Sequence, residues 1–274
     1  MHISAVFSIF NARRAALPLL VATLVLGSFS PAHATRPFFV TESAVSLPPG
    51  GVRVEMGLSQ ENWKGTRAYE VRTEVSYSLY ANLDLEVEAP YRVLGGFIPA
   101  TTTSAFADGV GDIWVKAKAN FVKERAADPL TVSGLLGIKF PVGDKATGTE
   151  EVDVLLLAMA SKTYAGVTAH GNLSYTFVGD GPAGMQLDDV PGLSLGLEFG
   201  ARSNVTAVFE AAWEAGRVPG QGTRSELGGG MVMRLDDNLR VDLTLRKGLG
   251  ETSYPYGGGP DFAVNLGMTY DIGM

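Results

Sequence analysis

Leu83-Asp84-Leu85-Glu86-Val87-Glu88-Ala89 decides the fold. Apolar and acidic residues alternate without a fault. In an extended chain that places the leucines and valine on one face and the carboxylates on the other. A wall with lipid on one side and a polar lumen on the other requires this pattern. A slip of one residue would carry all three carboxylates into lipid, so the register is strongly specified.

The same period returns on both sides of this stretch, in about twelve segments. Val52, Val54, Met56 and Leu58 alternate with Arg53, Glu55 and Ser59. Tyr69, Val71, Val75, Tyr77 and Leu79 face away from Glu70, Arg72, Glu74 and Ser76. Ile113, Val115, Ala117 and Phe121 oppose Asp112, Lys116, Lys118 and Asn120. Further on, Leu239, Val241, Leu243 and Leu245 oppose Arg240, Asp242 and Arg246, and a last segment sets Phe262 to Ile272 against Asn265 and Asp271. Residues 152–161 are almost continuously apolar and show no parity.

The gaps alternate as well. Short connections fall at 81–82, 123–129, 162–166, 202–204 and 236–237, and longer ones at 92–108, 141–151, 179–192, 215–223 and 247–260. Short turns at one end and long loops at the other mark bacterial outer-membrane barrels. The expectation is an all-β protein, an antiparallel transmembrane β-barrel of about twelve strands with both termini periplasmic. Trp63, Tyr80, Tyr91, Trp213, Tyr254 and Tyr256 lie toward segment ends, where interfacial girdles belong. A soluble β-sandwich also alternates. Uncharged apolar faces running the full length of the segments, and loops kept long at one end, favour the barrel.

The address agrees. Arg13 and Arg14 precede an apolar run at 15–29, broken by Pro18, and Pro31-Ala32-His33-Ala34 supplies an A-x-A cleavage site. The run is shorter than the ~20 residues of a spanning helix. Residues 1–34 are therefore expected to be a cleaved signal peptide, 35–51 a periplasmic leader closed by Pro48-Pro49-Gly50-Gly51, and 52–274 the outer-membrane barrel. The net charge of −7 argues against a nucleic-acid partner. The chain has no cysteine, so no disulfide holds it.

Two motifs invite catalytic readings. Residues 179–184 spell G-x-G-x-x-G, but no amphipathic helix follows to present its N-terminus to a pyrophosphate, so the reading is a loop. His170 shares a strand face with Asn172 and Ser174. Along one strand His170 and Ser174 stand about 13 Å apart at ~3.3 Å per residue, too far for a nucleophile and its base. Another serine on a neighbouring strand is left open. No metal spacing is present, and no cofactor is expected.

The stronger constellation is the set of inward charges. Glu70, Glu74, Asp84, Glu86 and Glu88 come from two adjacent segments, and Arg72, Lys116, Lys118, Arg240 and Arg246 are expected to answer them across the lumen. With His170 these form the candidate lumen lining. It serves either a selective passage or a salt-bridged filling, because twelve strands lie between the filled eight and the open sixteen.

Several motifs in order carry a resemblance. They are Thr41-Glu42, Pro48-Pro49-Gly50 and Glu55; Gly109-Val110-Gly111-Asp112 with Lys118; and 137–144, Gly-Ile-Lys-Phe-Pro-Val-Gly-Asp. Arg246-Lys247-Gly248-Leu249, Pro260-Asp261-Phe262 and Gly267-Met268-Thr269-Tyr270 follow. Together they resemble the outer-membrane proteins of the MetA-pathway of phenol degradation family. The resemblance implies passage of small hydrophobic or aromatic molecules across the outer membrane and no catalytic residues. Asn265, Gly267, Tyr270 and Ile272 look like the signal read by the barrel-insertion machinery, although the chain ends Gly273-Met274 without a terminal aromatic. The expected partners are the lipid bilayer, that machinery and a small-molecule solute. A pore-less structural or adhesion barrel and an outer-membrane hydrolase are the alternatives.

Overall fold

The computed structural model describes residues 40–63, 66–97, 104–123, 130–179, 186–219, 222–249 and 260–273. The expected signal peptide lies outside the described residues, as do Tyr254 and Tyr256 and most of the glycine motif at 179–184.

Alternation becomes strand throughout. The strands are β1 (Val52–Trp63), β2 (Thr66–Tyr80), β3 (Leu83–Phe97), β4 (Ser104–Val110), β5 (Ile113–Val122), β6 (Leu130–Phe140) and β7 (Asp153–Tyr164). They continue as β8 (Val167–Phe177), β9 (Val190–Arg202), β10 (Val205–Glu214), β11 (Arg224–Arg234), β12 (Leu239–Gly248) and β13 (Phe262–Ile272). Neighbours pair antiparallel, and β1 closes on β13 from Val52↔Ile272 to Asn62↔Phe262. Closure pairs the barrel staves on both sides, as a lipid-embedded sheet requires; among the described strands β4 alone pairs on one side, with β3. β4 and β5 both pair with β3, so they are two halves of one stave and the barrel has twelve. The first and last staves meet at Val52 and Ile272, which puts the start of β1 and the end of β13 at the short-turn end.

The stave breaks at Gly111-Asp112, opposite Pro90. Pro90 has no N–H to give a ladder, but its carbonyl accepts the Gly111 N–H at 2.8 Å. A Cβ on Gly111 would lie 2.9 Å from Pro90 Cγ, so only glycine fits the crossing. This overturns the long loop expected at 92–108. β3 runs on to Phe97 and β4 begins at Ser104. The two extensions pair with each other, and no run of clean alternation announces them. β1 and β2 likewise run to Trp63↔Thr66, which makes one loop-end connection short.

Period two sorts the side chains inside out. Leu58, Val87, Leu136, Leu195, Phe209, Met231 and Leu266 are exposed, whereas Glu86, Lys116, Ser133, His170, Glu198 and Arg246 are buried. The parity hidden in β7 resolves the same way: Asp153, Leu157, Met159 and Ser161 point inward and Leu156 outward. Tyr80 and Trp213 face out near strand ends, as expected of girdles, whereas Tyr91 faces out from the middle of the extended β3. Trp63 does not. Odd residues of β1 face the lumen, and Trp63 is buried there with its Nε1 donating to Glu61. Replacing Leu195, mid-strand on the outer face, with arginine should destabilise the barrel by about 2–4 kcal/mol in urea titrations of the lipid-embedded protein.

The loop at 141–152 folds back over the break in the stave. Asp112 accepts hydrogen bonds from Gly143 N–H, Thr149 N–H and Thr149 Oγ1. A Cβ on Gly143 would lie 2.7 Å from the Gly111 carbonyl carbon, so glycine lets the loop lie flat. Burial pushes the Asp112 carboxyl up, but these hydrogen bonds and Lys139 outweigh it and hold it below the usual carboxylate range. A depressed carboxylate contributes stability above its unfolded value and loses it as pH falls through the folded one. The protection factors of the Gly143 and Thr149 amides should therefore be high at neutral pH and fall as pH drops below about 4.

Candidate functional site

The lumen is built from inward side chains of every stave and from a segment that enters it. Residues 40–47, Val-Thr-Glu-Ser-Ala-Val-Ser-Leu, cross the barrel interior before β1 begins. Residues 40–47 of the leader thus lie inside the barrel wall, and residues 48–51 lie at its short-turn end. Gly50 N–H donates to the Ser78 carbonyl, and Ser78 N–H to that of Gly51, pinning the entry at the turn end. Leu47 N–H donates to Asp84 Oδ2 at 3.1 Å, and Ser78 Oγ donates to the Leu47 carbonyl. Ala44 is fully buried against Leu135, Leu157 and Met159. Its N–H donates to Ser161 Oγ at 2.9 Å, and its carbonyl accepts from Asn120 Nδ2 and Ser133 Oγ. Glu42 exchanges two backbone hydrogen bonds with the Asn172 amide. Val40 and Thr41 N–H groups converge on Glu210 Oε1 at 3.0 and 2.6 Å. The chain spans from the β2–β3 wall to β10. Buried N–H and C=O groups need partners, and the inward polar side chains supply them.

Ser161 and His170 sit at one anchor. Ser161 Oγ is 2.8 Å from His170 Nδ1, and His170 Nε2 is 2.9 Å from Glu198 Oε1. The serine left open by the sequence therefore comes from β7, not from Ser174. Ser161 is only 2% exposed and its Oγ already accepts from Ala44 N–H, so the row holds the segment in place.

The remaining charges pair along the wall. Lys116 lies 3.0 Å from Glu74 and 2.5 Å from Glu88. Lys118 lies 3.7 Å from Asp84 and 3.4 Å from Glu86, Arg92 is 2.8 Å from Glu70, and Arg72 is 4.0 Å from Glu88. Arg240 joins Arg53 on Asp271, and Arg246 joins Arg224 on Glu61 and Glu226. All eleven candidate lining residues belong to the lumen-facing parity. Arg240 and Arg246 pair with Asp271, Glu61 and Glu226 on nearby staves. Adjacent staves lie about 4.8 Å apart, so inward charges on neighbours meet first.

Sequence reasoning overlooked Glu210, Asn172, Ser161, Ser133 and Asn120 as a set. Each had a readable inward parity or a polar type, but nothing local tied them to residues 40–47.

Between the segment and the loop end lies a cavity of about 290 Å³. Val40 and Glu42 form its floor. Trp114, Leu135, Leu155 and Leu157 give it one apolar wall, and Arg72, Glu88, Lys116, Glu214, Arg217 and Arg224 line the rest with the β8 polar row. The opposite wall, at β12, β13, β1 and β2, holds a smaller pocket lined by Glu55, Glu70, Glu74, Asp242 and Arg72.

The fold recurs in solved outer-membrane proteins. The COG4313 outer membrane channel from Pseudomonas putida F1 superposes with a TM-score of 0.67 at 14% identity, over 83% of this chain and 97% of that one. The NanC porin gives 0.56 at 12% identity, over 80% and 98%. The translocator domain of the autotransporter NalP from Neisseria meningitidis gives 0.51 at 16% identity, over 97% and 96%. No curated protein matches the sequence. The family model described as the MetA-pathway of phenol degradation matches residues 35–272, nearly all of the barrel and the segment inside it. The chain belongs to that family of outer-membrane β-barrels.

Proposed function

We propose that this barrel is an outer-membrane channel for small hydrophobic or aromatic molecules, with residues 40–47 setting the width of the passage. The observation that carries this reading is a polar lumen crossed by the chain's own segment yet left with a 290 Å³ chamber beyond it. A barrel serving only as a wall has no use for a chamber with an apolar side. The channel and porin folds it resembles support the same reading. In this reading residues 1–34 are removed on export, the insertion machinery places the barrel in the outer membrane, and the short-turn end with both termini faces the periplasm. Glu70, Arg72, Glu74, Asp84, Glu86, Glu88, Lys116, Lys118, His170, Arg240 and Arg246 line the route, and no residue acts as a nucleophile.

Purified protein in planar bilayers should give small, discrete conductance steps. A trace that stays closed at every voltage and with every aromatic solute tried would favour a structural barrel.

A further inference from the structure

We propose that the lumen chamber is a binding site for a small aromatic carboxylate, its ring on the leucine wall and its carboxylate on Arg217. The proposal rests on the channel reading and adds a ligand class to it.

Three observations carry it. The first is size. An apolar cavity of ~150 Å³ already accepts benzene, so about 290 Å³ takes one substituted ring but little more. The second is the wall. Trp114, Leu135, Leu155 and Leu157 face a lumen whose other inward positions are overwhelmingly polar. Inward leucines have no lipid to meet, and Leu155 remains only partly buried, with free surface toward the chamber. The third is charge. Four cations, Arg72, Lys116, Arg217 and Arg224, line the chamber with three carboxylates, Glu42, Glu88 and Glu214. The pocket on the opposite wall has the reverse bias.

Among these cations Arg217 is the loosest. Among the described residues its side chain pairs with Asp153, 3.5 Å from Nη1, and it is 36% exposed. Asp153 also holds Lys139 at 2.6 Å, so Arg217 can turn to a ligand without leaving that carboxylate uncompensated. The guanidinium fork matches a carboxylate in two-point geometry. A ring on Leu155 then places an acid group toward the mouth, where Arg217 enters from the loop after β10.

The test is calorimetric titration of the full mature protein in detergent with benzoate, benzyl alcohol and acetate, alongside bilayer conductance of the same preparation. Folding of each variant is checked by heat-modifiable migration on gels. Benzoate should bind. R217Q should weaken it about tenfold or more while leaving benzyl alcohol unchanged, the loss of a charge-assisted hydrogen bond. L155S should weaken both ring compounds, and acetate should not compete. Benzoate binding that is absent, is indifferent to both variants, or is displaced equally by acetate would overturn the proposal. So would binding gained only in F38A/F39A protein, because the chain's own aromatic pair would then be the occupant. Conductance without benzoate binding sinks this inference alone. Binding without conductance leaves the site standing and removes the channel reading.

Discussion

Deleting residues 36–47 raises the single-channel conductance several-fold, while the barrel still folds and inserts. The expectation follows from where the hydrogen bonds go. Glu210, Asn172, Ser161, Ser133, Asn120 and Asp84 reach the segment from six different staves, and together they draw a peptide across the interior. Without it those side chains face water, and the twelve-stranded lumen widens toward the open regime. Stability falls only modestly, because the barrel's own ladder is closed without the segment. A gentler variant serves as a control. Glu210→Gln keeps an acceptor for Val40 and Thr41 but gives up its charge, so it should increase current fluctuations without reaching the conductance of the deletion. Conductance equal to the parent's after deletion would mean that the segment does not limit passage.

The second large effect is on stability. Lys116→Met leaves Glu74 and Glu88 facing each other without the ammonium between them. Lys116 and Glu74 are each about 5% exposed, so water screens little of the repulsion. Breaking a buried pair by removing one partner costs roughly 3–5 kcal/mol. The urea midpoint of the folded barrel should drop accordingly. Adding Glu88→Gln to Lys116→Met should recover part of the loss, since it removes one of the two carboxylates left facing each other. Residues in direct contact are expected to be non-additive in this way. A double variant as unstable as the sum of its parts would show that the three groups do not act as a unit.

The sequence made some parts of this molecule legible and hid others for physical reasons. β3, β5 and β12 were readable because lipid and lumen demand opposite chemistries from successive residues, as in 83–89. β7 was not, because Leu155, Leu157 and Met159 face inward against the segment and the chamber, which erases the contrast. β4 lies beyond the kink at Gly111-Asp112 and pairs with the end of β3, where lipid no longer imposes alternation. Trp63 follows the parity of β1 and stacks near Arg224, 5.7 Å from its guanidinium carbon, although its type suggested a girdle.

The candidate site divides in the same manner. The inward charges were readable one strand at a time, but their partners were not. Lys116 reaches past β3 to Glu74 on β2, and Arg246 reaches Glu61 on β1, pairings set by closure of the barrel. Residues 40–47 carry no alternation of their own. Their partners lie 31 to 170 residues away in the chain, so only the folded barrel brings them together.

Disulfide trapping reports directly whether residues 40–47 lie inside the barrel. The chain is free of cysteine, so Ala44→Cys with Ser161→Cys creates the only thiols present. Ala44 N–H donates to Ser161 Oγ at 2.9 Å, which brings the two Cα atoms within bridging range. Oxidation of the outer-membrane-embedded double variant should form an intramolecular disulfide, detected by a reductant-sensitive gel shift. Conductance should then stay at its low level. Two thiols that remain free under oxidation, both reactive toward a bulky maleimide, would place the segment outside the barrel and contradict it.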